Sequence, residues 1–337
     1  MWYNKQVETF KIITMHEPTY RQALSHSWKL AWHHKLIWIF GLFAAFLGQM
    51  GLLELLGSVS MHASSSSATL GLGNLTWIKM LCAGELRVSL PITGWVWLVW
   101  LLVMFLGFGI FLIFVSVSSQ GALIHASAQW AKKDTLPDTD KSWHAGVQHF
   151  WPLFFINVFK KCFICALGMA VSWGAVNALI GTVTGWDLAL FLLLFILAAL
   201  VGMVLSFLVV YVAGFVVVEK YPLSWAIPAA WKMFIKHWLV SVEVGVIILV
   251  LNVLVSAVAL IGFIVFLVPT LITWFIASVI SNGILWMAGL VIGCSLFVLF
   301  IIFLGSVFTV FTTSVWTYLF MKMHRVGIVS KILHVFK

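Results

Sequence analysis

The sequence has very little charge. Only 9% of its 337 residues are Asp, Glu, Lys or Arg, against about 25% in a soluble domain. A water-facing surface cannot be built from that composition, so lipid must be the solvent for most of the chain. Cysteine is scarce as well. Cys82, Cys162, Cys165 and Cys294 form no disulfide framework, and three of the four fall in apolar runs, where Cys is a small packing residue. Cys162 and Cys165 have C-x-x-C spacing without the βαβ context of a redox motif. Walker loops, dinucleotide fingerprints, G-x-S-x-G elbows and H-E-x-x-H zinc motifs are all missing. No catalytic residue, metal site or cofactor is therefore expected. A cleavable signal peptide is also absent from the reading, and the first span is expected to act as its own insertion signal.

What is present is apolar sequence, 63% of the chain, with a mean hydropathy of +1.12. A crossing needs about 20 apolar residues. Six runs qualify: 36–57, 94–119, 162–181, 188–218, 239–262 and 284–320. The stretch 263–283 is apolar, lacks Lys and Arg and contains Pro269, so it reads as a seventh span or as a re-entrant or interfacial outer segment. The positive-inside rule chooses between these. With six spans, 17 of the 19 Lys and Arg fall on one side, leaving Lys79 and Arg87 in the outer loop 58–93. A seventh span would move Lys322, Arg325, Lys331 and Lys337 outside. The expectation is an all-α, polytopic bundle forming one integral membrane domain over 1–337, with both termini cytoplasmic. The net charge of +9 then reflects topology and attraction to anionic headgroups on the cytoplasmic face, not nucleic acid.

One pattern recurs before alternate spans. Trp28 to His34, Trp143 to His149 and Trp231 to His237 are each W-x5-H, and each runs into an apolar stretch. The first belongs to the cytoplasmic N-terminal segment, 1–35. The physical reading is an interfacial amphipathic helix followed by a two-helix hairpin, three times over, with Trp at the acyl boundary and Lys and His among water and headgroups. The alternative is that any juxtamembrane segment collects Trp, Lys and His. Lys160 and Lys161, before the third span, are expected to snorkel to the same interface.

Ionisable and amide groups within apolar runs flag function by default. Glu243 is the sharpest: a proton relay or cation partner on one reading, a carboxylate bonded to Trp, His or Lys160 at the interface on the other. Asn157, Asn177 and Asn252 suit hydrogen bonds between helices. Small residues at four-residue spacing mark helix packing: Ala166, Ala170, Gly174 and Ala178, then Ala198, Gly202 and Ser206, then Gly289 and Gly293.

Residues 23–43, ALSHSWKLAWHHKLIWIFGLF, resemble the opening of a loose group of bacterial six-helix inner-membrane proteins. That group includes the membrane domain preceding the catalytic barrel of some glycerophosphodiester phosphodiesterases. The shared pattern is Ala-x4-Trp followed by a basic-aromatic step into an apolar span. The resemblance implies a bacterial inner-membrane bundle and carries no hydrolase residues. The functional expectation is a non-enzymatic protein organising lipid or partner proteins; the alternative is a transporter for a small or amphiphilic substrate.

Overall fold

A computed structural model describes residues 19–45, 92–133, 138–180, 185–280 and 283–325. Residues 58–91 of the outer loop 58–93, the end of the first expected span, residues 1–18 of the N-terminal segment and residues 326–337 of the C-terminal tail lie outside the described residues. Within them every regular element is helical: α1 (Thr19–His33), α2 (Ile37–Ala45), α3 (Ile92–Lys133), α4 (Thr139–Gln148), α5 (Phe150–Ile180), α6 (Gly185–Val218), α7 (Leu223–Ile280) and α8 (Gly283–Arg325). Five stretches are long and apolar enough to cross a membrane: Trp95–Lys132, Phe150–Val171, Leu188–Val218, Leu223–Ile280 and Met287–Arg325. The chain is a multi-pass helical membrane protein.

Two boundaries differ from the sequence reading. The third span does not begin at Cys162, because α5 is helical from Phe150. Residues 263–280 form no separate segment, because α7 continues through Pro269. Proline removes one backbone donor from a helix, and here the helix closes around it. The hydroxyl of Thr270 donates to the Phe266 carbonyl at 2.9 Å. At 1.5 Å per residue, α7 beyond His237 is roughly 64 Å long, more than one crossing of a ~30 Å hydrocarbon core requires.

By contacts the chain divides into two compact units. One comprises Met1–Phe40, Ser118–Leu251 and Val310–Lys337; the other comprises Gly41–Val117 and Asn252–Thr309. In the second unit α7 and α8 pack closely. A Cβ on Gly262 would collide with the Phe300 ring, and Cβ atoms on Gly289 and Gly293 would collide with Thr273 and Thr270. Phe263 meets Phe297 edge-on at 5.4 Å. Outside this seam most large apolar side chains of the unit, such as Phe105, Leu260 and Val291, are exposed, as lipid-facing groups must be.

The first unit has a denser interior. Residues 118–124 of α3, 211–217 of α6 and 314–317 of α8 are buried without a break. A helix buried on every side is a core helix, so these three segments form the centre. Phe215 of α6 meets Phe320 of α8 edge-on at 4.9 Å, and Phe207 meets Trp316 at 5.5 Å. The end of α6 is set by Lys220, whose φ of 57° turns the chain so that the Tyr221 amide reaches the Phe215 carbonyl at 3.1 Å. Pro222 then opens α7, a position where its missing donor costs nothing.

Candidate membrane-interface site

The three W-x5-H segments fold alike. Each is a short helix, and each His stands where that helix breaks. His34 lies one residue past the end of α1. His149 is the C-cap of α4, at φ −102° and ψ 20°. His237, at φ −127° and ψ 27°, interrupts α7 and separates its first turns from the long second segment. Ring nitrogens help close two of these ends: His33 Nδ1 donates to the Lys29 carbonyl at 3.0 Å and His149 Nδ1 to the Ala145 carbonyl at 2.8 Å. A carbonyl only accepts, so both rings carry their proton on Nδ1.

Aligning the segments on these histidines reveals a second repeat. Seven residues before each His lies a buried small residue: Ser27, Ser142 and Ala230. Four residues earlier, Ala23 and Ala226 are buried too, and three residues before His34 and His149 lie Ala31 and Gly146, both buried. Small residues on one face let a helix approach its neighbour closely. The closest approach is at α4, where the Cα of Gly146 would lie 2.9 Å from a Cβ on Gly121 of α3.

The neighbours follow one rule. Each short helix docks on the second helix of the preceding hairpin. For α4 this is α3, through Gly146 and Gly121. For the first segment of α7 it is α6, where Phe234 stacks on Phe207 at 6.2 Å. For α1 the neighbour is α8. There His26 meets Tyr318 at 5.0 Å, Trp28 meets Phe311 at 6.0 Å, and Lys322 donates to Gln22 at 2.9 Å.

Away from the core, α1 and the first segment of α7 share two further faces. Trp28 and Trp32, four residues apart, are exposed beside each other, as are Trp231 and Ile235. On the adjacent face lie exposed Lys29 and His33 in α1, and Lys232 and Lys236 in α7. Protein-facing, apolar and basic faces therefore succeed one another around both helices, at the i, i+4 spacing of neighbours on a helix. Trp28 is 55% and Trp231 48% exposed, which is costly for indole in water but suited to the headgroup layer.

Several expected site residues lie elsewhere. Trp143 is half-buried, stacked on Phe40 at 6.1 Å, because α4 is docked deeper by its glycine contact. His237 and Lys160 are each 8% exposed. Lys160 stands ten residues into α5, not at the start of a span, and its side chain enters the core. Lys161 next to it is exposed. Ala166 and Ala170, half of the α5 stripe, are exposed among the described residues. The side chains of Gly174, Asn177 and Ala178 lie outside the described residues. On α6, Ala198 is half-buried, Gly202 has open space around it, and Ser206 donates to the Gly202 carbonyl at 2.9 Å. Glu243 and Asn252 are half-buried. Asn157 is buried and donates to Gln120 Oε1 on α3 at 2.7 Å.

Two ionisable groups beside the first break are shifted. Lys141 donates to Asp138 at 3.0 Å, and this bond holds the carboxyl below its ordinary value, with the backbone N–H groups it caps adding to the effect. His34 is held below the usual histidine value by burial and by neighbouring His33. Its ring lies edge-on to Trp130 at 5.1 Å.

Comparison with known proteins adds no assignment: no family model, no curated protein and no solved structure matches this chain.

Proposed function

We propose that this is a non-enzymatic protein of the bacterial inner membrane, with both termini cytoplasmic, whose short helices organise anionic lipid and through it partner proteins. The observation that carries the reading is the three-faced character of α1 and the first segment of α7: small residues inward, Trp28, Trp32 and Trp231 outward, and Lys29, Lys232 and Lys236 beside them. That order suits a helix lying in the headgroup layer against a protein core. The 17-to-2 division of basic residues supports a cytoplasmic position for it, and the resemblance of residues 23–43 supports the bacterial membrane.

Single-tryptophan variants retaining Trp28 or Trp231, reconstituted with brominated lipids, test the reading. Quenching is expected to be strongest for bromines near the headgroups. Indoles that are fully water-exposed, or at mid-bilayer, would sink it.

A second reading, passage of a small or amphiphilic substrate, rests on the hydroxyls in the core. Ser118, Ser119 and Ser127 are buried, with no hydrogen-bond partner for their hydroxyls among the described residues, and a polar path is what passage requires. Labelling of Ser119→Cys by an aqueous thiol reagent in sealed vesicles would favour it.

A further inference from the structure

At the first helix break, α1 and α2 meet the start of α4 around an open recess of about 430 Å³, lined by His33, His34, Lys35, Leu36, Ile37, Asp138 and Thr139. We propose that this recess binds the phosphodiester of a phospholipid headgroup, with Lys35 and His33 holding the phosphate. The inference rests on the reading of the short helices as interfacial and names the chemistry they gather.

The charge balance in the recess favours an anion. Among the described residues Asp138 is the carboxylate that lines it, and that group is already engaged. It accepts from Lys141 Nζ at 3.0 Å, and its other oxygen faces the backbone N–H groups of Asp140 and Lys141 at 3.2 and 3.5 Å. This caps α4 and leaves the carboxylate with little field to oppose an incoming phosphate. Lys35 is exposed, and its ammonium offers three donors to phosphate oxygen. His33 has its Nδ1 proton committed to the Lys29 carbonyl, which turns Nε2 outward; protonated there, it becomes a second donor to phosphate oxygen.

The recess also has an apolar side. Leu36 and Ile39 are exposed immediately beyond Lys35, where the chain turns into α2. A headgroup held by Lys35 thus has an apolar surface beside it for the first carbons of an acyl chain. A free phosphate would use the first feature and not the second, which lets experiment separate the two sources.

The test uses the full chain in a zwitterionic detergent, titrated calorimetrically with dihexanoyl phosphatidylglycerol below its micelle concentration and, separately, with inorganic phosphate. The short-chain lipid is expected to bind, and Lys35→Gln to weaken it about five-fold, the worth of one Lys at an anionic surface. His33→Gln, also at an exposed position, should weaken it too. Lys29→Gln, on the same helix but outside the recess, should change binding by less than two-fold. Inorganic phosphate binding as well as the lipid would assign the site to the phosphate alone, still in support. Binding by neither ligand, or equal loss from Lys29→Gln and Lys35→Gln, would overturn the proposal, because attraction would then be diffuse. The tryptophan-depth measurement separates the two claims. Interfacial indoles with no ligand binding would remove the recess and leave the broader reading standing. Water-exposed indoles with lipid binding at Lys35 would do the reverse.

Discussion

The side-chain amide of Asn157 on α5 donates to Gln120 on α3 at 2.7 Å, and both residues are buried. The same amide also donates to the Leu153 carbonyl at 2.9 Å, so Asn157 ties its own helix to a core helix. Removing one partner leaves the other buried and underused, which costs about 1–3 kcal/mol. Replacing both with apolar groups of similar shape removes that penalty. Asn157→Leu should therefore lower thermal stability in detergent more than the double variant Asn157→Leu/Gln120→Leu does. A double variant as unstable as the sum of the two singles would show that the pair is uncoupled.

Gly146 and Gly168 predict opposite outcomes for the same substitution. A Cβ on Gly146 would collide with the backbone carbonyl of Ser118 and lie 2.8 Å from the Ala122 amide, whereas one on Gly168 would meet nothing within 4 Å. Backbone cannot rotate aside, so Gly146→Ala should destabilise by about 1–3 kcal/mol through overpacking. Gly168→Ala should be neutral, or stabilising by up to about 1 kcal/mol, because Ala favours the helix. Thermal unfolding of the two variants side by side checks the contrast.

These two sites also show what the sequence could and could not disclose. The W-x5-H segments were legible because Trp and His are chemically distinctive, and their spacing survives without an alignment. The helical fold was legible from hydropathy alone. The inward faces were not. Ser27, Ser142 and Ala230 are common small residues that acquire meaning only when aligned on His34, His149 and His237, whose shared role as helix breaks emerges from the backbone. Gly121 and Gly146 are far apart in sequence and marked by no stripe of their own. The burial of Lys160 was not legible for a related reason. A hydropathy window starts the span after the charge pair, but α5 starts at Phe150, and only the packing of α5 decides which of two adjacent lysines turns inward. The recess combines the first helix break with the start of α4, about a hundred residues apart in sequence, and no local pattern joins them.

Tyr211 and Ser241 form a directional chain. The Ser241 hydroxyl donates to the His237 carbonyl at 3.0 Å, and Tyr211 lies 2.6 Å from the same hydroxyl. With the serine proton committed, the tyrosine must be the donor. Tyr211→Phe deletes that donor and leaves Ser241 bonded to His237, a loss of about 0.5–1.5 kcal/mol. Ser241→Ala leaves a fully buried phenol without its acceptor, at about 1–3 kcal/mol. The serine variant is thus expected to be the less stable of the two, although each removes a single hydroxyl. The reverse order in denaturant or thermal unfolding would reject the assignment of donor and acceptor.

The break after α1 should respond to pH in one direction. His34 is held below the ordinary histidine value of about 6.5 by burial and by His33. The folded arrangement therefore binds its proton less readily than the unfolded chain does. Whatever stability this supplies is present above about pH 6.5 and is lost as the pH falls through the lowered folded value. The ring of His34 lies 5.1 Å from Trp130, and His26 lies 5.7 Å from the same indole on another side. Protonation of His34 should therefore change Trp130 emission. In a variant keeping only Trp130, the part of the fluorescence transition that His34→Gln removes is expected to lie below about pH 6.5. A transition centred above the ordinary histidine value would reverse the sign of the shift. It would mean that the break favours the charged ring, as a neighbouring anion would make it do.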